Sequence, residues 1–265
     1  MPLKSLESLF RSERRSHLFL VNEAWRQTRR FCVRCRSSKI YRLADKRYRC
    51  ARCGYTFHDF TRRWVGELNL TARQWLWIVK LFELEIPPSQ MATEVGISYP
   101  TALKAIYLIR RAIAQANGAD AWAPEPRAER SAASGRAFGL LERGGEITIN
   151  VVDDLNADKV LQEQPKFTKQ GPIIFTGPIG DYDGLILWRF RLPMRVAKRP
   201  AKVKSALDGL ENFWSFARPR LSKFHRTSDQ DLYYFLKELA FRYQHRGEEL
   251  FPSLVSLMTQ LMPDH

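Results

Sequence analysis

The stretch Phe31–Phe57, FCVRCRSSKIYRLADKRYRCARCGYTF, contains all four cysteines of the chain. They form two pairs, Cys32-x-x-Cys35 and Cys50-x-x-Cys53, with fourteen residues between the pairs. A two-residue spacing lets a tight turn direct both sulfurs to one point, and two such turns on neighbouring hairpins complete the tetrahedral shell of structural zinc. Two disulfides or four free thiols are the alternative. Because disulfides suit small secreted domains and nothing in this sequence indicates secretion, we expect zinc.

The chemistry expected of this stretch is structural rather than catalytic. A closed shell of four cysteines leaves no open position for a water molecule, and the nearby His58 is not needed as a ligand. The segment from Arg11 to Arg63 has sixteen Lys and Arg residues against four Asp and Glu. Phosphate groups are the natural partners of so basic a segment, and a solvated basic surface is the alternative.

The whole chain is also basic. Its 265 residues carry a formal net charge of +15, with a sequence pI of about 9.9, which favours a polyanionic partner. The sequence has no run of about 18 apolar residues that would span a membrane, and its N-terminus lacks the apolar core of a signal peptide. We therefore expect a cytoplasmic, nucleoid-associated protein with no membrane contact.

Residues 1–30 are predicted to form a basic helical lead-in, residues 31–63 the zinc ribbon and residues 64–116 a helix-turn-helix. Thr71 and Gln74 have the spacing of a capping box at the start of the first of these helices. Ser89 is expected to cap a short second helix over Gln90–Val95, and Gly96 to make the turn. A third helix is expected from Tyr99 to about Ala114, with Ser98 as its cap. The alternative is a plain three-helix structural bundle.

The third helix is expected to enter the major groove of DNA with one face while its other face packs into the core. The inward positions would be Leu103, Ile106, Ile109 and Ile113. The residues assigned to DNA from this helix are Tyr99, Thr101, Lys104 and Arg111. Arg62 and Arg63, at the end of the ribbon, are also assigned to DNA, and Arg62 specifically to phosphate.

Residues 117–136 are rich in Ala, Gly, Pro, Ser and charge, and we interpret them as a linker. Residues 137–265 are predicted to form a second, α/β domain. Its expected strands are Ala137–Glu142, Glu146–Val152, Pro172–Thr176 and Ile186–Leu192. Its expected helices are Leu155–Gln162, Val203–Phe216, Asp229–His245 and Glu248–Met262. The segment Arg189–Arg226 has eleven Lys and Arg residues against two acids, and its Lys202 and Lys204 are assigned to DNA.

Three segments of the second domain resemble the small zinc-ribbon DDE transposases of bacterial insertion sequences, the ISXO-two-like group. They are FGLLERGG at Phe138–Gly145, GLENFWSF at Gly209–Phe216 and LKELAFRY at Leu236–Tyr243. The order of cysteine ribbon, helix-turn-helix and catalytic domain is similar as well. The resemblance covers about residues 30–250 and implies an α/β multidomain protein with a truncated RNase H-like domain and C-terminal helices.

The resemblance also implies a catalytic site that this sequence does not complete. Such transposases use three carboxylates to hold two divalent ions, which activate the attacking oxygen at a phosphodiester. Only the third acid is found, as Glu211, while Gly177 stands where the second is expected. The first would fall in the linker, where Asp120 is the only aspartate. Replacement acids are conceivable, but helix capping and turn formation explain them better. These acids are Asp153, Asp154, Asp181 and Asp183.

The sequence therefore predicts a transposase-derived protein that binds double-stranded DNA, holds structural zinc and does not catalyse, acting as a regulator or accessory subunit. Mg²⁺ is expected only if the second domain is catalytic. Self-association or a protein partner would suit a domain retained as a scaffold. Two alternatives remain: an active DDE transposase that cleaves and joins DNA, and a structural subunit of a larger complex.

Overall fold

The chain divides into two units in this computed structural model. The first unit comprises Met1–Ala116 and Gly247–His265, and the second comprises Asn117–Arg246. The structure describes residues 3–26, 28–116, 137–143, 146–152, 165–168, 171–179, 182–188, 208–221 and 229–263. The linker predicted at 117–136 and the helix predicted at Leu155–Gln162 lie outside these residues. None of the described helices is long and apolar enough to cross a membrane.

Two helices, α1 (Leu3–Phe10) and α2 (Glu13–Ala24), open the first unit. The hydroxyl of Ser12 caps α2 by accepting the N–H of Arg15. The apolar face of α1 is buried, and the ring of Phe10 stacks on Trp77 with 4.2 Å between the ring centroids. The basic lead-in predicted from the sequence is therefore helical and packed.

The cysteine stretch forms a small antiparallel sheet in the order β1 (Ile40–Arg42), β2 (Tyr48–Cys50) and β3 (Thr56–Phe57). Cα partners run from Ile40 opposite Cys50 on one side of β2 to Tyr48 opposite Phe57 on the other. Such short strands bury little apolar surface by themselves. Their core is completed by the end of α2 through Val21 and Trp25, which pack in one cluster with two of the cysteines.

Three further helices follow a 3₁₀ turn at Trp64–Gly66: α3 (Ala72–Glu83), α4 (Pro88–Val95) and α5 (Tyr99–Ala116). The predicted capping box at the start of α3 is present, with the Thr71 hydroxyl accepting the Gln74 N–H and the Gln74 side chain accepting the Thr71 N–H. The carboxylate of Glu13 from α2 also accepts the N–H groups of Ala72 and Arg73. Two side chains thus satisfy the free N–H groups of this helix end.

The turn between α4 and α5 agrees with the sequence pattern, but the boundary of α4 differs. Gly96 has φ +70°, a left-handed conformation that glycine adopts at little cost, and the Ser98 hydroxyl accepts the N–H of Thr101. The expectation that Ser89 caps α4 is wrong. The helix begins at Pro88, because proline suits a first helical position that needs no N–H donor, and Ser89 lies inside the first turn.

The inward face of α5 also differs from the prediction at one position. Ile106, Ile109 and Ile113 are buried as expected, but Leu103 is 41% exposed. The small residues Ala102 and Ala105 occupy core positions instead and bring α5 close to its neighbours. Helical periodicity in the sequence favoured Leu103 as the core residue, whereas the close packing of α5 against its neighbours accommodates the smaller Ala102 and Ala105.

The second unit contains five antiparallel strands in the order β5-β4-β8-β7-β6. The strands are β4 (Ala137–Arg143), β5 (Glu146–Val152), β6 (Pro165–Thr168), β7 (Gly171–Ile179) and β8 (Tyr182–Trp188). Helices α6 (Asp208–Leu221) and α7 (Asp229–Gln244) follow, with α7 packed against β5 and α6. The expected hairpin at β4–β5 is present, and β8 starts four residues earlier than predicted.

Helix α7 is buried on all sides from Leu232 to Tyr243. A helix that is apolar and buried all round has packing partners on every side. The burial includes a charged pair, in which Arg242 donates to the carboxylate of Glu238 at 2.7 Å. Such a pair tolerates burial because each charge satisfies the other.

The last helix, α8 (Leu250–Met258), belongs to the first unit, whereas the sequence analysis grouped it with residues 137–265. Its apolar residues Leu254 and Val255 are buried, and the helix packs against α3 and α5. Glu83 at the end of α3 holds the start of α8, because its carboxylate accepts the N–H of Phe251 at 2.8 Å and the ammonium of Lys80 at 2.5 Å.

Replacing Glu83 with Ala should destabilise the first unit by about 1–3 kcal/mol, because Phe251 and Lys80 would lose a charged acceptor. Equilibrium unfolding in denaturant measures the loss. Glu94→Ala, at an exposed position of α4, is the matched control and should stay within about 0.5 kcal/mol of the wild type. Equal stability of Glu83→Ala and the control would contradict this account of how α8 is held.

The same interaction should depend on pH. Burial opposes ionisation of Glu83, but the hydrogen bonds from Lys80 and from the N–H of Phe251 hold its pKa below the ordinary value of 4.5. A lowered pKa stabilises the fold above the unfolded-state value, and this contribution is lost as the pH falls through the folded-state pKa. The stability difference between wild type and Glu83→Ala should therefore shrink below about pH 4.

Candidate metal centre and nucleic-acid interface

The four cysteine sulfurs lie within 4.8 Å of one another. Each close contact joins one cysteine of each pair: Cys32 to Cys53 at 3.6 Å, and Cys35 to Cys50 at 3.5 Å between the Sγ atoms. A tetrahedron with zinc–sulfur bonds of about 2.3 Å has edges of about 3.8 Å, and a disulfide would require about 2.0 Å. The cluster therefore has the size of a four-sulfur metal shell, and the cysteines are free thiols.

The two Cys-x-x-Cys turns have the same backbone structure. In the first, the N–H of Arg36 donates to the carbonyl of Cys32 at 2.8 Å, and in the second the N–H of Gly54 donates to that of Cys50 at 3.0 Å. Both residues that follow the pairs are left-handed, with φ +59° at Arg36 and +70° at Gly54. This repeated turn is what directs two sulfurs from each side to a common centre.

The backbone also favours the metal-binding form of one thiol. The N–H of Arg52 donates to the Sγ of Cys50 at 3.3 Å. The N–H groups of Cys53 and Arg52 lower the pKa of Cys50 to about 6, although burial opposes its ionisation. Thiolates, not thiols, bind metals. His58 is not part of the cluster, and its Nδ1 accepts the N–H of Phe60 at 3.1 Å.

Arg63 is buried, so its assignment to a DNA contact is corrected. It is 4% exposed, and its guanidinium donates to the carbonyls of Asp59 and Thr259 and lies over the ring of Trp25 at 4.4 Å. Burial lowers its pKa only to about 10, so it remains charged at neutral pH. The buried charge joins the ribbon to the residues after α8 and is not available at the surface.

The other residues assigned to DNA differ in their accessibility. Lys104 and Tyr99 are exposed on α5, and Tyr99 is 51% exposed. Thr101 is half-buried, and its hydroxyl shares a hydrogen bond with Ser98 at 2.8 Å. Arg111 is half-buried with its guanidinium over the ring of Trp64. Arg62 is half-buried as well. Lys202 and Lys204 lie outside the described residues.

The ribbon presents many exposed basic side chains near the cysteine cluster. Arg42 and Arg49 lie on neighbouring strands, where Arg49 is paired in register with the exposed Tyr41. The exposed basic residues of the ribbon are Arg34, Arg36, Lys39, Arg42, Lys46, Arg47, Arg49 and Arg52. Within the part of the chain that the structure describes, Arg47 is the residue of this set that forms an ion pair, with the carboxylate of Asp45.

The sequence analysis overlooked Asp59, which organises the junction between α2 and the ribbon. Its carboxylate accepts the indole N–H of Trp25 at 2.6 Å and the guanidinium of Arg30 at 2.9 Å. Asp59 is one of only four acids between Arg11 and Arg63. This rarity is the feature of the sequence from which an internal role for Asp59 could have been predicted. An acid kept in so basic a segment is more easily explained by a fixed internal contact than by surface charge.

The residues aligned with the transposase acids lie on separate elements of the second unit. Glu211 is on α6, and Gly177 is on β7 where the pairing with β8 is irregular between Thr176 and Ile179. Asp183 lies on β8 directly opposite Glu142 of β4. The other acids considered from the sequence lie outside the described residues. They are Asp120, Asp153, Asp154 and Asp181.

Two family models match the chain. One, described as a transposase zinc-ribbon domain, matches residues 11–56, and the other, described as an ISXO2-like transposase domain, matches residues 124–244. The two matched segments together cover more than half of the chain and include the cysteine cluster, β4–β8, α6 and α7. Over these two segments the chain is similar to zinc-ribbon transposases of the ISXO2-like family.

The matches leave three parts of the chain uncovered. Helix α1 precedes the first matched segment, α3, α4 and α5 lie between the two segments, and α8 follows the second. No curated protein and no solved structure matches the chain.

Freshly purified protein should contain one zinc ion per chain, and Cys50→Ser should lose it together with the folded ribbon, because binding at such sites is largely folding energy. Elemental analysis measures the metal, and a lowered unfolding temperature reports the structural loss. His58→Ala is the matched control, since it removes a possible ligand type beside the cluster and should retain the metal. Wild-type protein without stoichiometric zinc would contradict the assignment.

Proposed function

We propose that this protein is a transposase-derived, sequence-selective DNA-binding protein whose second unit does not cleave DNA. The observation that carries the DNA-binding part is the exposed face at the start of α5, which follows the tight turn at Gly96. A helix that follows such a turn and exposes one face of its first two turns matches the recognition helix of a helix-turn-helix. We assign α3–α5 that role.

Charge supports this assignment. Helix α5 contains Lys104, Arg110 and Arg111 and no acidic residue. The exposed basic residues of the ribbon would add phosphate contacts that position the protein without reading sequence. Zinc, in this proposal, holds the ribbon in shape and takes no part in any reaction.

The proposal that the second unit does not cleave DNA rests on the residues that stand at the positions of the three transposase acids. Two-metal cleavage needs carboxylates that converge on ions about 4 Å apart. Glycine at Gly177 offers no side-chain ligand, and Glu211 alone could not hold two ions. Asp120 precedes residue 124, where the match to the transposase domain begins. A protein that keeps its DNA-binding elements but not these acids would suit a regulator or an accessory subunit.

An active transposase is the second candidate, and one observation favours it. Asp183 occupies β8 beside the irregular segment of β7 that contains Gly177. A carboxylate on the neighbouring strand could take over a role lost at Gly177, with Glu211 as a second acid. This candidate requires Mg²⁺ or Mn²⁺, whereas the first does not.

Lys104→Ala should weaken binding to a selected DNA site by about 1–3 kcal/mol while leaving non-specific binding nearly unchanged, because the side chain would contact a base edge. Arg62→Ala is the matched comparison and should weaken both to a similar extent, because phosphate contacts are independent of sequence. Titrations at fixed salt, with a duplex enriched from a random pool and a scrambled duplex, measure both constants.

The salt dependence of the same titrations tests the nature of the partner. Each neutralised phosphate contributes about −0.9 to the slope of log K against log salt, and we expect roughly five to ten such contacts. A slope near zero would favour a protein partner and the structural-subunit alternative. An unchanged specificity ratio in Lys104→Ala would refute the role of α5.

Incubation of the wild-type protein with its selected duplex and Mn²⁺ should produce no nicks, because the carboxylates needed for a metal pair are not in place. Glu211→Gln should bind the duplex as tightly as the wild type. Nicking by the wild type that disappears in Glu211→Gln and in Asp183→Asn would establish the second candidate. Asp45→Asn, on the ribbon, is the control for a non-specific effect of removing an acid.

A further inference from the structure

Leu103, near the start of α5, is an exposed apolar residue outside the buried core. Leu103 is 41% exposed, although the neighbouring Ala102, Ala105 and Ile106 are buried. Tyr99, one turn earlier on the same face, is 51% exposed. The two side chains form an apolar strip at the end of the helix from which recognition helices contact bases.

The surroundings of this strip identify its partner by chemistry. Lys104 is exposed beside Leu103, and α5 as a whole carries three basic residues and no acidic one. A helix that carries basic residues and no carboxylate suits a polyanion. Two side chains are also far too little apolar surface for a stable protein interface, which buries about 800 Å² on each partner.

A DNA duplex offers one apolar group in its major groove, the 5-methyl of thymine. A leucine can contact this methyl without a hydrogen bond, and a tyrosine ring can pack on another one a base step away. The neighbouring Lys104 is then placed for a base edge such as that of guanine. Such an arrangement would explain why two apolar side chains and a basic one are exposed together here.

We infer that Leu103, assisted by Tyr99, selects thymine at one or two positions of the bound site by contacting the 5-methyl group. This inference rests on the proposed function, since it requires α5 to lie in the major groove. It goes further by naming the base and the atom that are read.

The test compares thymine with deoxyuridine, which keeps every hydrogen-bonding group and lacks only the methyl. A duplex enriched from a random pool by the wild-type protein is resynthesised with each thymine replaced in turn. Wild-type affinity should fall about four-fold for each contacted methyl, as expected for the loss of one buried methyl group. Leu103→Ala should bind the unmodified duplex more weakly and show no further loss at the position that Leu103 contacts.

Leu84→Ala is the matched control, because Leu84 is also exposed but lies just after α3. It should keep the full deoxyuridine effect, and thermal unfolding should show that both variants fold. The inference is overturned if no deoxyuridine substitution weakens the wild type, or if the loss is equal in Leu103→Ala. It is also overturned if Leu103→Ala changes the oligomeric state in sedimentation and not the base preference. Failure to enrich any sequence from the pool would overturn the proposed function as well.

Discussion

The convergence of four sulfurs is the constraint on which the N-terminal part of the protein depends. The ribbon strands have two or three residues each, too few to form a stable sheet from their own hydrogen bonds and side chains. Two of the cysteines are instead part of the buried cluster that also contains Trp25 and Phe57. A metal held by these sulfurs would lie at the centre of that core. Metal coordination would then stabilise the ribbon against the repulsion between the basic side chains on its surface.

Ionic groups of the first unit join elements that are far apart in the sequence. Glu13 of α2 accepts N–H groups at the start of α3, and Glu83 at the end of α3 accepts one at the start of α8. A carboxylate near a helix N-terminus is favoured by both the free N–H groups and the helix dipole. Arg63 completes the connection from the ribbon to Thr259. These contacts fix the helices and the ribbon relative to one another and add to the buried apolar core that α3, α5 and α8 share.

Local signals in the sequence predicted much of this structure. The Cys-x-x-Cys spacing located the ribbon, the Thr71–Gln74 box located the start of α3, and Gly96 located the turn before α5, since each depends on residues close in the chain. The failures concern contacts between distant residues. Nothing near Arg63 in the sequence indicates that a carbonyl at Thr259 would hold its guanidinium, and helical periodicity cannot show that Leu103 faces solvent while Ala102 and Ala105 pack. The membership of α8 in the first unit was missed for the same reason.

The first unit is discontinuous, because its last helix is separated from its other elements by the whole of the second unit. During translation the ribbon and α1–α5 leave the ribosome well before α8 exists. For that interval the faces of α3 and α5 that later receive α8 are uncovered, and Arg63 has no carbonyl from Thr259. A nascent chain of this protein therefore cannot complete the first unit until the second unit has been synthesised. A completely folded first unit occurs only in chains that have been translated through both units.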